Sequence, residues 1–355
     1  MTLPSVLPRL ALALAIGSLG GWLAARAGIP LPWLLGSMLA TTLAATAGAP
    51  VAAWTPLRSL YIAVLGVLLG SGFTPGAFAQ AHEWLLSIAA LVAFTLVAGL
   101  LGMVFFRRVA GFDTATSYFA AMPGGLSEMV FMGEALGGDV RTISLTHTAR
   151  VLLVVLVLPI AFQSAFGLDA GARGLPGPEL TSLGWRTIAV LLGCGLLGWA
   201  GARVLRLPAA PILGPMVLSA GVHLAGIITV GPPRELVATA QIVVGSAIGA
   251  RFAGTPPATI ARIMIYAAGG TIVLLAATLG FAVAAAAITS FELPVLILAY
   301  APGGLAEMSL IALALNAQAS FVATHHIVRI VLVIGVAPAA FRLARYVAAR
   351  RRRTG

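Results

Sequence analysis

Two copies of one polar motif lie inside otherwise apolar stretches of the chain, and their residue types could bind and move an ion. The first copy reads Pro123-Gly124-Gly125-Leu126-Ser127-Glu128-Met129 and leads to His147-Thr148-Ala149-Arg150. The second reads Pro302-Gly303-Gly304-Leu305-Ala306-Glu307-Met308 and leads to His326-Ile327-Val328-Arg329, 179 positions later throughout. Charge at membrane depth costs free energy and usually marks a functional site. A duplicated, interrupted and charged segment therefore predicts a transporter binding site.

Each residue type in the motif suggests a different chemical role. Arginine keeps its proton and suits a carboxylate or phosphate, whereas histidine can change charge near neutral pH. Proline and paired glycines interrupt a helix, and the exposed amides of such a break can bind anions. The candidate substrate-binding residues are Pro123, Gly124, Gly125, Glu128, His147 and Arg150 in the first copy, and Pro302, Gly303, Gly304, Glu307, His326 and Arg329 in the second.

Structural alternatives stay open for the charged residues of this set. Glu128 and Glu307 lie just past the break, near the start of a half-helix, where free N–H groups favour negative charge. They could instead neutralise Arg150 and Arg329 and clamp each broken segment to the next helix. The two histidines could likewise be hydrogen-bonded packing groups rather than substrate or proton groups.

The composition indicates a membrane protein. Of 355 residues, 60% are hydrophobic and 9% are charged, and the mean hydropathy is +1.05, which excludes an ordinary soluble domain. Apolar runs of about 20 residues recur, enough to cross the roughly 30 Å hydrocarbon core as helices, and the period-2 alternation of a β-barrel is absent. All 21 basic residues are arginines, most of them at helix ends, so the net charge of +11 reflects membrane topology rather than a nucleic-acid partner.

The same residues argue against several kinds of chemistry. One cysteine, Cys194, and five scattered histidines form no recognisable metal-ligand set, and no nucleotide-binding phosphate loop is present. We therefore expect no enzymatic activity, no resident metal and no cofactor. Coupling to Na⁺ or H⁺ is compatible with the sequence. The glycine-rich helices could serve packing within the fold or the seam of a homodimer.

An internal duplication organises the chain. Repeat one covers residues 1–166, a linker rich in glycine and proline covers 167–182, repeat two covers 183–346, and a basic tail covers 347–355. Residues 112–162 and 291–341 share 18 identities in 51 positions. The apolar segments are 7–26, 31–49, 57–73, 84–106, 113–137 and 143–166 in repeat one, and 184–204, 209–228, 235–250, 263–287, 292–316 and 320–341 in repeat two.

The fifth segment of each repeat, which contains Pro-Gly-Gly, could be a re-entrant hairpin or an unwound crossing helix. Arginine placement favours the hairpin, because five crossings plus one hairpin invert repeat two relative to repeat one. With the C-terminus in the cytoplasm, the cytoplasmic set of arginines includes Arg58, Arg107, Arg108 and Arg251. Loops 107–112 and 251–262 are then predicted to be cytoplasmic, and loops 74–83 and 286–291 to lie outside.

The doubled motif, the following His-x-x-Arg, and the Leu-Leu-Gly-Ser-Met and Ile-Leu-Gly-Pro-Met turns at 34–38 and 212–216 resemble the bacterial AbrB-type membrane proteins with an internal duplication. That family is often labelled an ammonia monooxygenase or a regulator, and it is distinct from the DNA-binding transition-state regulator of the same name. The architecture is also similar to citrate-type secondary carriers that move by an elevator mechanism. These resemblances imply an all-α polytopic membrane protein and support transport more than any one substrate.

The sequence thus predicts two inverted membrane repeats, each with about five transmembrane helices and one broken segment. We expect a secondary active transporter for a small organic anion in the bacterial inner membrane, with a site at the midplane between the two broken segments. Its partners would be a small solute and the lipid bilayer. The alternative from another class is a non-transporting membrane sensor or regulatory protein.

Overall fold

The structure is a computed structural model that describes residues 3–75, 81–168 and 175–354. The predicted linker 167–182 and the predicted loop 74–83 fall partly outside these residues. Within them the fold is all helical. The helices are α1 Leu3–Arg26, α2 Pro32–Thr46, α3 Thr55–Ser71, α4 Ala81–Arg108, α5 Thr114–Ala121, α6 Leu126–Ala135, α7 Val140–Phe166, α8 Trp185–Val204, α9 Ala210–Leu224, α10 Arg234–Gly249, α11 Pro257–Ala286, α12 Leu293–Tyr300, α13 Leu305–Ala314 and α14 Ala319–Thr354. Short 3₁₀ turns cover Leu180–Ser182 and Ala250–Phe252.

The fifth segment of repeat one is a re-entrant hairpin of α5 and α6. The backbone N–H of Asp139, which caps the start of α7, donates to Thr116 in the first turn of α5 at 2.8 Å. Deeper in the protein His147 contacts the Phe119 carbonyl, and α5 and α7 therefore run parallel from one face. Since α6 must bring the chain back to that face, the hairpin interpretation is confirmed and the crossing-helix alternative is wrong.

The second hairpin, α12 and α13, is built in the same way. The rings of Phe291, before α12, and Phe321, in the first turn of α14, lie 4.2 Å apart between centroids. His326 then contacts the Leu298 carbonyl at 2.9 Å, so α12 and α14 also run parallel.

The two hairpins enter from opposite faces. Glu83, at the start of α4, accepts a 2.6 Å hydrogen bond from the N–H of Ser290, just before α12; we call this end the Ser290 face. At the other end of α4, Phe112 packs on Tyr266 near the start of α11. Arg141, at the start of α7, donates to the carbonyl of Gly254; we call this end the Gly254 face. Helices α4 and α11 are therefore antiparallel, and the predicted inversion of the repeats is confirmed.

The helices pack into two bundles. The crossing bundle contains α1, α2, α3, α8, α9 and α10, and the hairpin bundle contains α4 to α7 and α11 to α14. In the crossing bundle a Cβ on Gly36 would lie 2.3 Å from the Gly20 carbonyl oxygen, and the twin pair Gly214 and Gly198 gives 2.0 Å. Only residues without a side chain allow helix backbones this close. These glycines serve packing within the fold.

Among the described residues, seven helices are long and apolar enough to cross a membrane: α1, α4, α7, α8, α10 with its 3₁₀ turn, α11 and α14. Helices α2, α3 and α9 also connect the two faces, but with 15, 17 and 15 residues they are shorter. The chain is a multi-pass membrane protein. Helix α14 continues through the predicted basic tail as far as Thr354.

Candidate functional site

The tips of the two hairpins border one cavity of about 370 Å³ between the bundles. The hairpin bundle contributes both tips, the first turns of α6 and α13, and part of α7 and α14. The crossing bundle contributes the starts of α3 and α9 and the end of α10. Nine of the twelve candidate residues line the cavity, and they are Gly124, Gly125, Glu128, His147, Arg150, Gly303, Gly304, Glu307 and Arg329. Pro123, Pro302 and His326 are buried but do not line it.

The crossing-bundle wall of the cavity comes from helix ends on the Gly254 face. Val51, just before α3, clusters with Phe252 and Ile260 at that face. Helix α9 runs parallel to α3, because a Cβ on Gly66 would meet the carbonyl oxygen of Ile212 and one on Gly70 that of Met216. Both helices therefore run towards the Ser290 face, and the start of α9 lies level with the middle of α3. Because the first half of α3 and the end of α10 line the cavity, it lies on the Gly254 side of the hairpin tips.

Arg150 and Arg329 cap the broken helices rather than pair with glutamates. The last carbonyls of a helix lack partners within it and carry partial negative charge. The Nη1 atom of Arg150 lies 3.3 Å from each of three such carbonyl oxygens at the end of α5, those of Ala120, Ala121 and Met122. Arg329 donates to the carbonyls of Tyr300, Ala301 and Gly303, at 3.2, 2.6 and 2.9 Å.

The alternative in which Glu128 pairs with Arg150, and Glu307 with Arg329, is therefore wrong. Within the described ranges neither glutamate has a basic nitrogen within 4.0 Å. The backbone carbonyls at the end of each first half-helix lie closer and satisfy most guanidinium donors. Arg150 and Arg329 are almost fully buried, with 4% and 2% of their surfaces exposed.

His147 and His326 join the same capping units. Nε2 of His147 donates to the Phe119 carbonyl at 2.8 Å, and Nδ1 accepts from Arg150 at 3.1 Å. In the twin, Nε2 of His326 donates to Leu298 and Nδ1 accepts from Arg329 at 2.9 Å. Because each ring has one donor and one acceptor nitrogen, both histidines are neutral in this arrangement. The structure thus agrees with the alternative in which the two histidines are hydrogen-bonded packing groups.

Glu128 and Glu307 lie in the first turns of α6 and α13, as the sequence predicts, with Gly125 and Gly304 at the N-caps. Their carboxylates fold back over these glycines: a Cβ would lie 2.2 Å from Glu128 Oε2 at position 125 and 2.0 Å from Glu307 Oε2 at position 304. Glu307 is buried, with 6% of its surface exposed, and Glu128 is half-buried. The free N–H groups and dipole at each helix start favour these negative charges.

A search for residues that are duplicated in both repeats misses two arginines that line the cavity. Arg58, near the start of α3, and Arg251, in the 3₁₀ turn after α10, both line the cavity. From the sequence both are assigned only to membrane topology, because their equivalents at offset 179, Val237 and Gly72, are uncharged. One sequence feature could have identified Arg58 as a site residue, namely its position inside the predicted apolar segment 57–73.

The cavity carries an excess of positive charge. Four arginines and two glutamates line it, which leaves a formal charge of +2. Arg58 and Arg251 lie within electrostatic range of Glu307 and of each other, but neither forms an ion pair or a hydrogen bond with any residue that the structure describes. Arg150 also lies within electrostatic range of Arg329.

Comparison with known proteins identifies one family and two relatives. A family model described as "Transition state regulatory protein AbrB" matches residues 33–345. The chain belongs to the AbrB family. This AbrB-family chain is 26% identical to "Uncharacterized protein YhjN" of Bacillus subtilis (strain 168), over 93% of its own length and 91% of the relative. It is 25% identical to "Putative regulator AbrB" of Escherichia coli (strain K12), over 88% of its length and 90% of that protein.

Proposed function

We propose that the protein is a secondary active transporter for a small organic anion, without enzymatic activity. One observation carries the proposal: two hairpin tips that enter from opposite faces border a single charged cavity between two bundles. Broken helices that meet at the centre of inverted repeats are the usual form of a transporter binding site. Irregular backbone at this depth is stable only within protein or beside a wet cavity.

The position of the cavity supports alternating access by relative movement of the bundles. A solute in it would touch the hairpin bundle on one side and the crossing bundle on the other. A rigid shift of one bundle against the other would change which face the solute can reach. We place the protein in the bacterial inner membrane with its C-terminus, and hence the Gly254 face, in the cytoplasm.

Coupling through the two histidines is disfavoured, since both ring nitrogens of each are engaged. The carboxylates of Glu128 and Glu307 lie at the cavity without a basic partner within 4.0 Å among the described residues, so they are the better candidates for proton or Na⁺ coupling. The unwound carbonyls at the tips are largely occupied by the arginines.

The experiment is gradient-driven uptake by sealed proteoliposomes that contain the purified protein, over a broad panel of organic anions. We expect accumulation of at least one anion that collapses with the driving gradient. The relative named as a regulator favours one other candidate, a membrane sensor. A sensor would bind an anion but carry no flux under any imposed gradient, and that result would remove transport.

A further inference from the structure

We propose that Arg58 and Arg251 form a two-arginine clamp for a small organic dianion, such as a short dicarboxylate. The proposal deepens the proposed anion site and rests on it for the location of the ligand. The clamp belongs to the crossing bundle, whereas the residues of the duplicated motif belong to the hairpin bundle. A ligand held by both would connect the two bundles.

The first observation is that both guanidinium groups lack partners. Neither Arg58 nor Arg251 has a hydrogen bond or an ion pair within the residues described, and Nε of Arg58 is buried without an acceptor. Each is partly buried and repels the other. Two partly buried like charges within electrostatic range of each other are costly unless an anion lies between them. A guanidinium binds carboxylate oxygens through paired N–H donors, so two of them can hold one carboxylate firmly.

The second observation is that Arg150 and Arg329 are already engaged. Each directs its terminal nitrogens to carbonyls at the end of a half-helix and to a histidine. They contribute a positive field to the cavity but have few donors to offer a ligand. Arg150 and Arg329 leave only Nε without a partner, whereas no donor of Arg58 or Arg251 has a hydrogen-bond partner among the described residues. This changes the sequence-based view of which arginines bind the anion.

The third observation concerns charge and size together. The lining arginines and glutamates leave a formal charge of +2, which a dianion would neutralise. The cavity of about 370 Å³ has room for roughly twelve waters at about 30 Å³ each. An inorganic dianion such as sulfate would fill less than half of that space, so a carbon chain with two carboxylates fits better.

Thermal unfolding of the purified full-length protein in detergent tests the clamp. The probes are the straight-chain dicarboxylates malonate, succinate, glutarate and adipate, the matching monocarboxylates, and sulfate. The variants are Arg58→Gln, Arg251→Gln and the charge-conserving Arg58→Lys. Arg203→Gln is the control, because it removes one exposed arginine that does not line the cavity.

We expect at least one dicarboxylate to raise the unfolding temperature of the wild type and of Arg203→Gln more than any monocarboxylate or sulfate does. The dissociation constant should rise at least tenfold in both glutamine variants and less in Arg58→Lys. Equal binding of dicarboxylates by the glutamine variants and the wild type would overturn the clamp. So would equal binding of monocarboxylates or sulfate by the wild type, or no response to any dicarboxylate.

Failure of the clamp and failure of transport have different signatures. Clamp-dependent binding without flux in proteoliposomes would remove the transporter and keep the clamp. Flux that is unchanged in Arg58→Gln and Arg251→Gln would keep the transporter and remove the clamp.

Discussion

The Oε2 atom of Glu307 lies 2.0 Å from the place that a Cβ on Gly304 would occupy. A side chain at position 304 would therefore displace this carboxylate from its present position. Gly125 and Glu128 repeat the relationship in the other hairpin. The second glycine of each Pro-Gly-Gly motif thus leaves room for the carboxylate of the glutamate three positions later to fold back over the start of the helix.

Replacing Gly125 or Gly304 by Ala should displace the neighbouring carboxylate into the cavity and lower flux strongly, without raising the unfolding temperature. The control is Gly193→Ala in α8, where a Cβ would lie more than 4 Å from every atom of the described residues beyond its chain neighbours and the adjacent backbone of that helix. A helical glycine of that kind gains up to about 1 kcal/mol on becoming alanine. Uptake assays and thermal unfolding of the three variants check this. More stable and fully active variants at 125 and 304 would contradict it.

Loss of a capping arginine should destabilise the fold. Arg329→Ala would leave the Ala301 and Gly303 carbonyls and His326 Nδ1 without their donor. Hydrogen bonds to charged groups contribute about 1.5–3 kcal/mol, so the unfolding temperature should fall markedly. Lysine cannot reproduce the fork, and Arg329→Lys should also be less stable. Arg251→Gln removes a cavity arginine that has no hydrogen-bond partner among the described residues and is repelled by Arg58, so this variant should be at least as stable as the wild type.

The thermal stability of Arg329→Lys distinguishes a capping role of this arginine from a role in binding the substrate. The sequence alone predicts that Arg→Lys at 150 and 329 folds normally and loses flux, as for a pure substrate ligand. The capping contacts instead predict that both lysine variants unfold at a lower temperature than the wild type, whatever their flux. Wild-type thermal stability of both lysine variants with lost flux would restore the substrate role.

The pH dependence of flux should not come from the histidines. Glutamine can donate one N–H to the Phe119 or Leu298 carbonyl and accept from the arginine with its oxygen, which are the two bonds that each imidazole makes. We expect His147→Gln and His326→Gln to fold and to keep the wild-type pH profile, measured as initial uptake rate across a pH series. Glu307→Gln should alter that profile if the carboxylate carries the proton. A profile flattened by either histidine variant alone would reverse the assignment.

Cysteine labelling should reveal the two faces. In a Cys194→Ala background, cysteines placed in 107–112 and in 251–262 should react from the same side, and a cysteine in 286–291 from the opposite side. The Arg141 bond to Gly254 and the Glu83 bond to Ser290 set these groupings. We expect the first group to face the cytoplasm. Labelling of 107–112 and 286–291 from one side would contradict the inverted repeats.

Gln241 allows a test of whether the two repeats exchange their conformations during transport. It is fully buried, and neither Oε1 nor Nε2 has a partner in the described part of the chain. Its equivalent at offset 179, Ile62, lines the cavity. If the repeats exchange conformations during transport, Gln241 becomes the residue beside the cavity on the Ser290 face.

Gln241→Leu should therefore stabilise the present arrangement, by about 1 kcal/mol for an unsatisfied buried amide, and slow flux. Thermal unfolding and uptake are the measurements. Gln163→Leu, at an exposed position of α7, is the control and should do neither. A destabilised Gln241→Leu variant with normal flux would argue against the exchange.

The sequence predicts most of the fold because its signals are local and repeated. The hydrophobic segments agree with the helices within a few residues at most ends, and the Pro-Gly-Gly motifs mark the breaks at 122–125 and 301–304. The duplication and the arginine positions together predict the inversion. Each of these signals depends on neighbouring residues or on a constant offset, which a single sequence displays.

The partners within the site depend on relationships that the sequence does not display. Arg150 could reach either the start of α6, with Glu128, or the end of α5, and only the packing of α5 against α7 decides between them. Arg58 and Arg251 lie 193 positions apart and belong to no repeated pair. Their meeting at one cavity follows from the way α3 and α10 cross, which sequence periodicity does not predict.

The antiparallel contact of α4 with α11 has a consequence for the origin of the chain. Each repeat has an odd number of crossings, so its two ends lie on opposite faces and a copy joined head to tail is automatically upside down. If the ancestral half already paired with an inverted twin before that fusion, it entered membranes in both orientations. Such behaviour requires a nearly even arginine balance. Arg107 and Arg108 have an arginine-free equivalent loop at 286–291. In such a history this bias would be a later gain that fixed a single orientation.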